Sequence, residues 1–475
     1  MGTNAIIQKL WNLCNILRNV GIGYYEYVTE LTYILFLKMA AEKGTEEGIP
    51  EKYRWKNMRK LEGLELKDTY HQLLNDLGKK SGNIGIIYND AKSAINEPVN
   101  LKKLFSEIDK IDWYDADREN LGDLYEGLFE KTTTEKKSGA GQYFTPRVLI
   151  KLMVNITKPQ LGEKIWDPAA GAFGFIIAAD RYLREMTDDY FGNDEIEVTE
   201  EQAKFQAKEA FSACELIEGT HRLGMMNAFL HNVTGKFVVG DTLSETGKQF
   251  KNFDLILSNP PFGANTGGEK ATRDDLVYAT SNKQLSFVEV IYRSLKKTGN
   301  ARAAVIVPDN VLFEGGVGKD VRMDLLKKCN VHTILRLPTG IFYAPGVKTN
   351  ILFFDRGKTD NENTENIWYY DLRTNMPSFG KTNPLTDKHV EEFYKTYFDD
   401  KKKKELERWT LVTMDDIIKK DYSLDLGLIK DESVVDSEDL PNPVESVEES
   451  MNRLEEAADL LKDILRELKD CGING

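Results

Sequence analysis

Four short stretches combine residue types that bind ligands or act on them, and each follows an apolar run that reads as a β-strand. The first is Asp167, Pro168, Ala169, Ala170, Gly171, Ala172, Phe173, Gly174, Phe175, a tight, small-residue turn leading into an apolar helix. Such a turn lets a ligand approach the backbone N–H groups at the start of the helix. It lacks the three spaced glycines of the dinucleotide form, and no Lys-Ser/Thr follows to make it a phosphate loop, so alone it is equally a plain strand-to-helix connection. Glu215 closes the next run, where a carboxylate can accept hydrogen bonds from ribose hydroxyls. Asp241 closes the third, within Val239, Gly240, Asp241, placed to accept a bond from an adenine amine. The fourth run, Asp254 to Ser258, ends in Asn259, Pro260, Pro261, Phe262. Polar or tight-turn sites at successive carboxyl ends of parallel strands lie along the edge where such sheets bind ligands, and together they point to a nucleoside-bearing ligand.

The elements that must position these groups follow from patterning. Apolar runs at Lys164 to Asp167, Ala210 to Glu215, Phe237 to Asp241, Phe253 to Ser258, Ala303 to Pro308, Val331 to Leu337 and Asn350 to Asp355 alternate with helical segments. That alternation predicts an α/β fold, a mainly parallel, doubly wound sheet covered on both faces. Residues 1–135 instead repeat apolar positions every three and four (Ile6, Leu10, Leu13, Leu17; Val28, Leu31, Leu35, Met39; Leu121, Leu124, Tyr125, Leu128) and predict an all-α domain. A polar, glycine-bearing boundary from Thr132 to Gly141 precedes the α/β domain over 136–420. Residues 421–443, acidic and holding two prolines, read as a linker. From 444 to 475, Val444, Val447, Met451, Leu454, Ala458, Leu461, Leu465 and Leu468 form a heptad seam on a helical extension. That seam suits another chain, or alternatively its own domain.

Composition narrows the class. At 475 residues the chain is long enough for about three folding units at ~150 residues each. Lys plus Arg number 63 and Asp plus Glu 77, a net charge of −14, the wrong sign for a protein that clamps nucleic acid unaided. Cys14, Cys214, Cys329 and Cys471 are scattered, which excludes a disulfide scaffold and fits a reducing compartment. No secretory leader and no membrane-spanning apolar run is evident, so a cytoplasmic protein with no membrane partner is expected. The Lys401 to Lys404 run after Asp399 and Asp400 reads as solvated surface, and His221, His231 and the other histidines lack ligand spacing, so no metal site is expected.

The Asn259 to Phe262 tetrad with the Asp-Pro-Ala-Ala-Gly turn resembles S-adenosylmethionine-dependent methyltransferases that act on the adenine amine of DNA. More narrowly, Gly141, Gln142, Tyr143, Phe144, Thr145, Pro146 resembles the modification subunit of type I restriction-modification systems. So do Leu17 and Arg18, Tyr33 to Lys38, Leu121 to Phe129, and Leu337, Pro338, Thr339, Gly340, Ile341, Phe342 with Lys348, Thr349, Asn350. The resemblance implies a Rossmann-like methyltransferase domain with S-adenosyl-L-methionine bound by Gln142 to Pro146, Asp167, Pro168, Ala169, Gly171, Gly174, Phe175, Glu215, Asp241 and Asn259. It implies catalysis by Asn259, Pro260, Pro261 and Phe262. It also implies work on DNA in a complex with a specificity subunit, a second modification subunit and a restriction (motor-nuclease) subunit. Phe173 stands where that family often has a small residue. The tetrad suits the chemistry. An aromatic amine is a poor nucleophile, and two acceptors, the Asn259 side-chain oxygen and the Pro260 carbonyl, can hold its protons and aim its lone pair, while the prolines stiffen the turn. The base must leave the duplex, and Phe262 offers it a face. The tetrad is shared with protein glutamine methyltransferases, and a non-catalytic scaffold with a decayed methyltransferase fold is the other alternative.

Overall fold

A computed structural model describes residues 9–10, 12, 24–111, 145–263, 273–342, 348–377, 379–380 and 383–425. The chain divides into Met1–Leu426 and Gly427–Gly475. The heptad seam, nearly all of the 421–443 linker, the boundary near residue 135, Leu121 to Phe129, and Gln142, Tyr143 and Phe144 lie outside the described residues.

The helical region is built around α1 (Tyr24–Lys43). Its apolar positions run almost all round the helix, and from Tyr27 to Ala40 nearly every side chain is buried, the pattern of a helix wrapped by others. The amphipathic α2 (Gly63–Gly78), α3 (Gly82–Tyr88) and α4 (Pro98–Asp109) provide the cover. Glu30, 1% exposed on α1, is satisfied by the Tyr70 hydroxyl at 2.6 Å, the Ser93 hydroxyl at 2.9 Å and the Ala94 N–H at 2.8 Å. A buried carboxylate needs that many donors to be tolerated.

The α/β region carries a nine-stranded sheet in the order β3-β2-β1-β4-β5-β7-β6-β8-β9. The strands are β1 (Ile165–Asp167), β2 (Phe211–Glu215), β3 (Lys236–Val239), β4 (Leu255–Ser258) and β5 (Arg302–Pro308). They continue with β6 (Cys329–Leu337), β7 (Thr349–Arg356), β8 (Asn366–Asp371) and β9 (Trp409–Thr413). Strands β1 to β5 pair with one another in parallel. Strand β7 inserts between β5 and β6 antiparallel to both, and β9 closes the far edge antiparallel to β8. Every residue of β1, β2 and β4 is buried, as expected for central parallel strands covered on both faces, whereas β3 at the edge is half-exposed. Trp166 in β1 anchors one face, stacked on Phe250 and Phe253 with ring centroids 5.1 Å away in each case.

Three features depart from the sequence expectation. Strands β8 and β9 were not anticipated. The third strand ends at Val239, so Asp241 sits beyond it in a turn, its Oδ1 accepting the Leu243 N–H at 2.8 Å. In the lysine run, Lys403 is not on the solvated surface: it is 7% exposed, with its ammonium 5.2 to 5.4 Å from the rings of Trp368, Tyr397 and Trp409.

Four more helices frame the site: α5 (Arg147–Thr157), α6 (Gly174–Met186), α7 (Glu218–His231) and α8 (Lys283–Ser294). Helix α5 buries Leu149, Ile150, Met153 and Val154, and Arg302 holds its C-terminus by donating to the carbonyls of Thr157 and Lys158 while pairing with Glu163. Helix α7 carries the helical region: Phe36 of α1 meets Phe229 at 4.6 Å, and Asn89 donates to Glu218 at 2.6 Å.

Candidate functional site

The turn after β1 is fastened on three sides. Gly171 has φ +53°, a left-handed conformation that glycine adopts freely, and its N–H donates to Glu215 Oε2 at 2.8 Å. The Ala170 N–H donates to the Cys214 carbonyl at 3.0 Å. The Thr242 hydroxyl donates to the Pro168 carbonyl at 2.6 Å, tying in the segment after β3. Phe173 begins α6 at φ +66°, which for a bulky residue carries strain. Its ring does not face the site. It is fully buried between His221 (centroids 5.4 Å) and Phe237 (4.9 Å), and a Cβ on Gly224 would lie 2.6 Å from it. The unusual residue at this position therefore packs into the core. His221 serves the same packing, and burial pushes its imidazole down to about 4, so it is neutral at physiological pH.

The acidic groups are buried in the same place. Asp167 is 1% exposed and accepts from the Ala169 N–H at 3.0 Å and the Ser258 hydroxyl at 2.9 Å, and burial pushes its carboxyl up to about 7. Glu215 accepts from Gly171 and, at 2.9 Å, from the Ile217 N–H, and burial raises its carboxyl above the usual range against the pull of these bonds. Two carboxyl groups held out of water favour a cationic ligand.

Ser258 leads directly into the tetrad. Asn259 Nδ2 donates to Thr145 Oγ1 at 3.0 Å, and its Oδ1 is buried with no partner among the described residues. Phe262, half-buried, meets Phe342 edge-on at 5.8 Å. The segment bearing Phe342 is held by Arg373, which donates to the Leu337 carbonyl at 3.1 Å and pairs with Asp309 at 3.0 Å.

These groups surround one cavity of about 870 Å³. Of the residues the sequence singles out, Thr145, Asp167, Pro168, Ala169, Gly171, Gly174, Phe175, Glu215, Asp241, Asn259, Pro261 and Phe262 line it, whereas Pro146 and Pro260 do not. Four cationic residues that sequence reasoning missed also line it: Arg147 and Lys151, one turn apart on α5, Arg181 on α6 and Lys283 on α8. Lys151 pairs with Asp387 at 3.1 Å. The i,i+4 spacing of Arg147 and Lys151 was the available signal, since it places both on one helical face. Among the described residues no three His, Cys, Asp or Glu side chains group to hold a metal ion, and no helix is long and apolar enough to cross a membrane. The arrangement suits a cationic nucleoside beside the carboxylates and a planar amine-bearing ring between Asn259 and Phe262.

Comparison with known proteins gives concordant matches. Residues 116–437 match the model of the N-6 DNA Methylase family, and residues 6–108 match the HsdM N-terminal domain. The methylase subunit of the type I restriction enzyme EcoKI of Escherichia coli is 41% identical over 98% of this chain and 96% of its own length. The corresponding StySPI subunit of Salmonella potsdam is 41% identical with the same coverage. Among solved structures, the crystal structure of the EcoKI M protein aligns with a TM-score of 0.56 at 38% identity, covering 98% of this chain and 96% of that one. A chain from a structural study of complex assembly in the type I R-M system aligns with a TM-score of 0.74 at 26% identity over the full length of both.

Proposed function

Because the chain belongs to the N-6 DNA methylase family, among the methylase subunits of type I restriction enzymes, we propose that its cavity transfers a methyl group from S-adenosyl-L-methionine to N6 of a flipped adenine in a specific DNA sequence. The observation that carries the residue assignment is Asn259 Oδ1, a buried acceptor without a partner on the cavity wall. An unmade hydrogen bond in such a place costs stability, and an arriving amine would complete it.

The residues present fit the cofactor. Glu215 suits the ribose hydroxyls, Asp241 the adenine amine, and the Asp167 to Gly174 turn the remainder of the molecule. When bound, S-adenosylmethionine supplies a methyl group on a sulfonium leaving group. Asn259 Oδ1 accepts a proton of the target amine, which weakens conjugation with the ring and directs the nitrogen lone pair. Phe262, braced by Phe342, stacks on the extruded base. The amine proton passes to water after transfer, and no strong base is required. Gln142, Tyr143 and Phe144 are assigned to cofactor binding in this proposal.

As a type I methylase subunit the chain works with a specificity subunit, a restriction subunit and DNA, and a second copy of itself completes the methylating complex. The charge of −14 agrees with DNA binding shared among subunits. The seam from Val444 to Leu468 is the proposed docking helix, and the cytoplasm, where the DNA lies, the proposed location. The match of the helical region to type I subunits speaks against a protein glutamine substrate, and the open acceptor at Asn259 Oδ1 against a decayed scaffold. The test is transfer of labelled methyl from S-adenosylmethionine to unmodified genomic DNA by the chain assembled with its specificity subunit. N6-methyladenine is the expected product. Label in protein and none in DNA would overturn the proposal.

A further inference from the structure

Thr145 and Asn259 are 114 residues apart in the chain, yet among the described residues the single hydrogen bond of the Asn259 side chain joins them. Thr145 sits just ahead of α5, beside the turn that meets the cofactor, and so lines the cavity. Its Oγ1 takes up Asn259 Nδ2 at 3.0 Å and leaves Oδ1 as the open acceptor. An amide side chain rotates readily about its last torsion, and its two ends have opposite hydrogen-bonding character. With the amide turned over, the Thr145 hydroxyl could donate to Oδ1, but Nδ2 would then aim its protons at the incoming amine, donor against donor. The orientation present is the one an amine substrate requires.

We infer that Thr145 is a positioning residue for methyl transfer: its hydroxyl fixes where the Asn259 amide lies, and of the two amide orientations it can satisfy, the arriving amine selects the one whose oxygen faces it. This rests on the assignment of Asn259 as the acceptor for that amine. It gives Thr145 a role on the substrate side of the cavity, distinct from closing the cofactor pocket. Thr145 acts through Asn259, so its loss should slow the chemical step and spare cofactor affinity.

The test compares Thr145→Val, Thr145→Ala, Thr145→Ser and Asn259→Ala in the full chain assembled with its specificity subunit. S-adenosylmethionine affinity is measured by calorimetry, and single-turnover methyl transfer to unmodified genomic DNA is measured at saturating cofactor. The expected result for Val and Ala is a rate lowered about 10- to 100-fold with cofactor affinity within about threefold of wild type. That loss corresponds to about 1.4 to 2.7 kcal/mol at 1.36 kcal/mol per tenfold, the range for a polar group deprived of its partner. Ser, which keeps the hydroxyl, should restore the rate to within about threefold. The inference is overturned if Val and Ala transfer at the wild-type rate, if their deficit disappears once the cofactor is saturating, or if Ser is as slow as Val. Active Asn259→Ala protein would instead remove the assignment of Asn259 itself, whereas inactive Asn259→Ala beside a wild-type Thr145→Val would remove only the role of Thr145.

Discussion

Replacing Asp167 with Asn should stabilise the ligand-free protein at neutral and alkaline pH and leave its stability nearly unchanged in acid. Asp167 is 1% exposed, and desolvation dominates its environment: the bonds from Ala169 and Ser258 pull its carboxyl down, Glu215 pushes it up, and the result is about 7 against an ordinary 3.8. The folded value lies above the unfolded one, so the folded protein holds the proton more tightly. The stability that this contributes is complete below about pH 4 and is lost as pH rises through about 7. At 1.36 kcal/mol per pH unit, the displacement from 3.8 to about 7 amounts to about 4 kcal/mol as an upper limit. Asn keeps a carbonyl oxygen for the Ser258 and Ala169 donors and carries no charge at any pH. Urea midpoints of wild type and Asp167→Asn should therefore converge below about pH 4 and separate progressively to pH 8, with the variant the more stable. A gap that stays constant across that range would refute the buried-carboxyl argument. A bound sulfonium cation should reverse the balance, so cofactor binding near pH 7 should release protons in wild type, and Asp167→Asn should bind more weakly without that release.

Glu215→Ala leaves the Gly171 and Ile217 N–H groups without their acceptor. It should weaken S-adenosylmethionine binding by about 1.5 to 3 kcal/mol, measured by calorimetry, and an unchanged affinity would remove Glu215 from the pocket. Phe262→Ala should reduce the flipping signal of 2-aminopurine at the target position with a loss of about 1 to 3 kcal/mol, while Phe262→Tyr should be tolerated. Equal fluorescence for wild type and Phe262→Ala would exclude stacking. Deleting residues 444–475 should leave cofactor binding intact and abolish assembly with the specificity subunit on gel filtration. A truncated chain that still assembles would place the docking surface elsewhere.

The part of the site legible in the sequence is the part that is local. Each of the strands β1, β2 and β4 is a short apolar run ended by Asp167, Glu215 or Ser258-Asn259, so periodicity and polarity together mark both the strand and the group it presents. What stayed hidden depends on partners distant in the chain. Antiparallel insertion of β7 between β5 and β6 is a choice of neighbours that no single strand encodes. Ile367 to Tyr370 and Trp409 to Val412 have strand-forming residues, but only their pairing, β8 with β6 and β9 with β8, separates them from buried loop. The departure at Phe173 could not be interpreted before its ring was seen to fill the space that Gly224 leaves open. The Thr145 to Asn259 bond and the convergence of Arg147, Arg181 and Lys283 on one cavity likewise belong to tertiary structure.

The central claim is that Asn259 engages the target amine and not the cofactor. Its most direct test is Asn259→Ala in the complex with the specificity subunit, measuring S-adenosylmethionine affinity and methyl transfer to DNA on the same preparation. Methyl transfer should vanish while cofactor affinity stays near wild type. Transfer surviving within a few-fold of wild type, or lost only in proportion to cofactor affinity, would contradict the account.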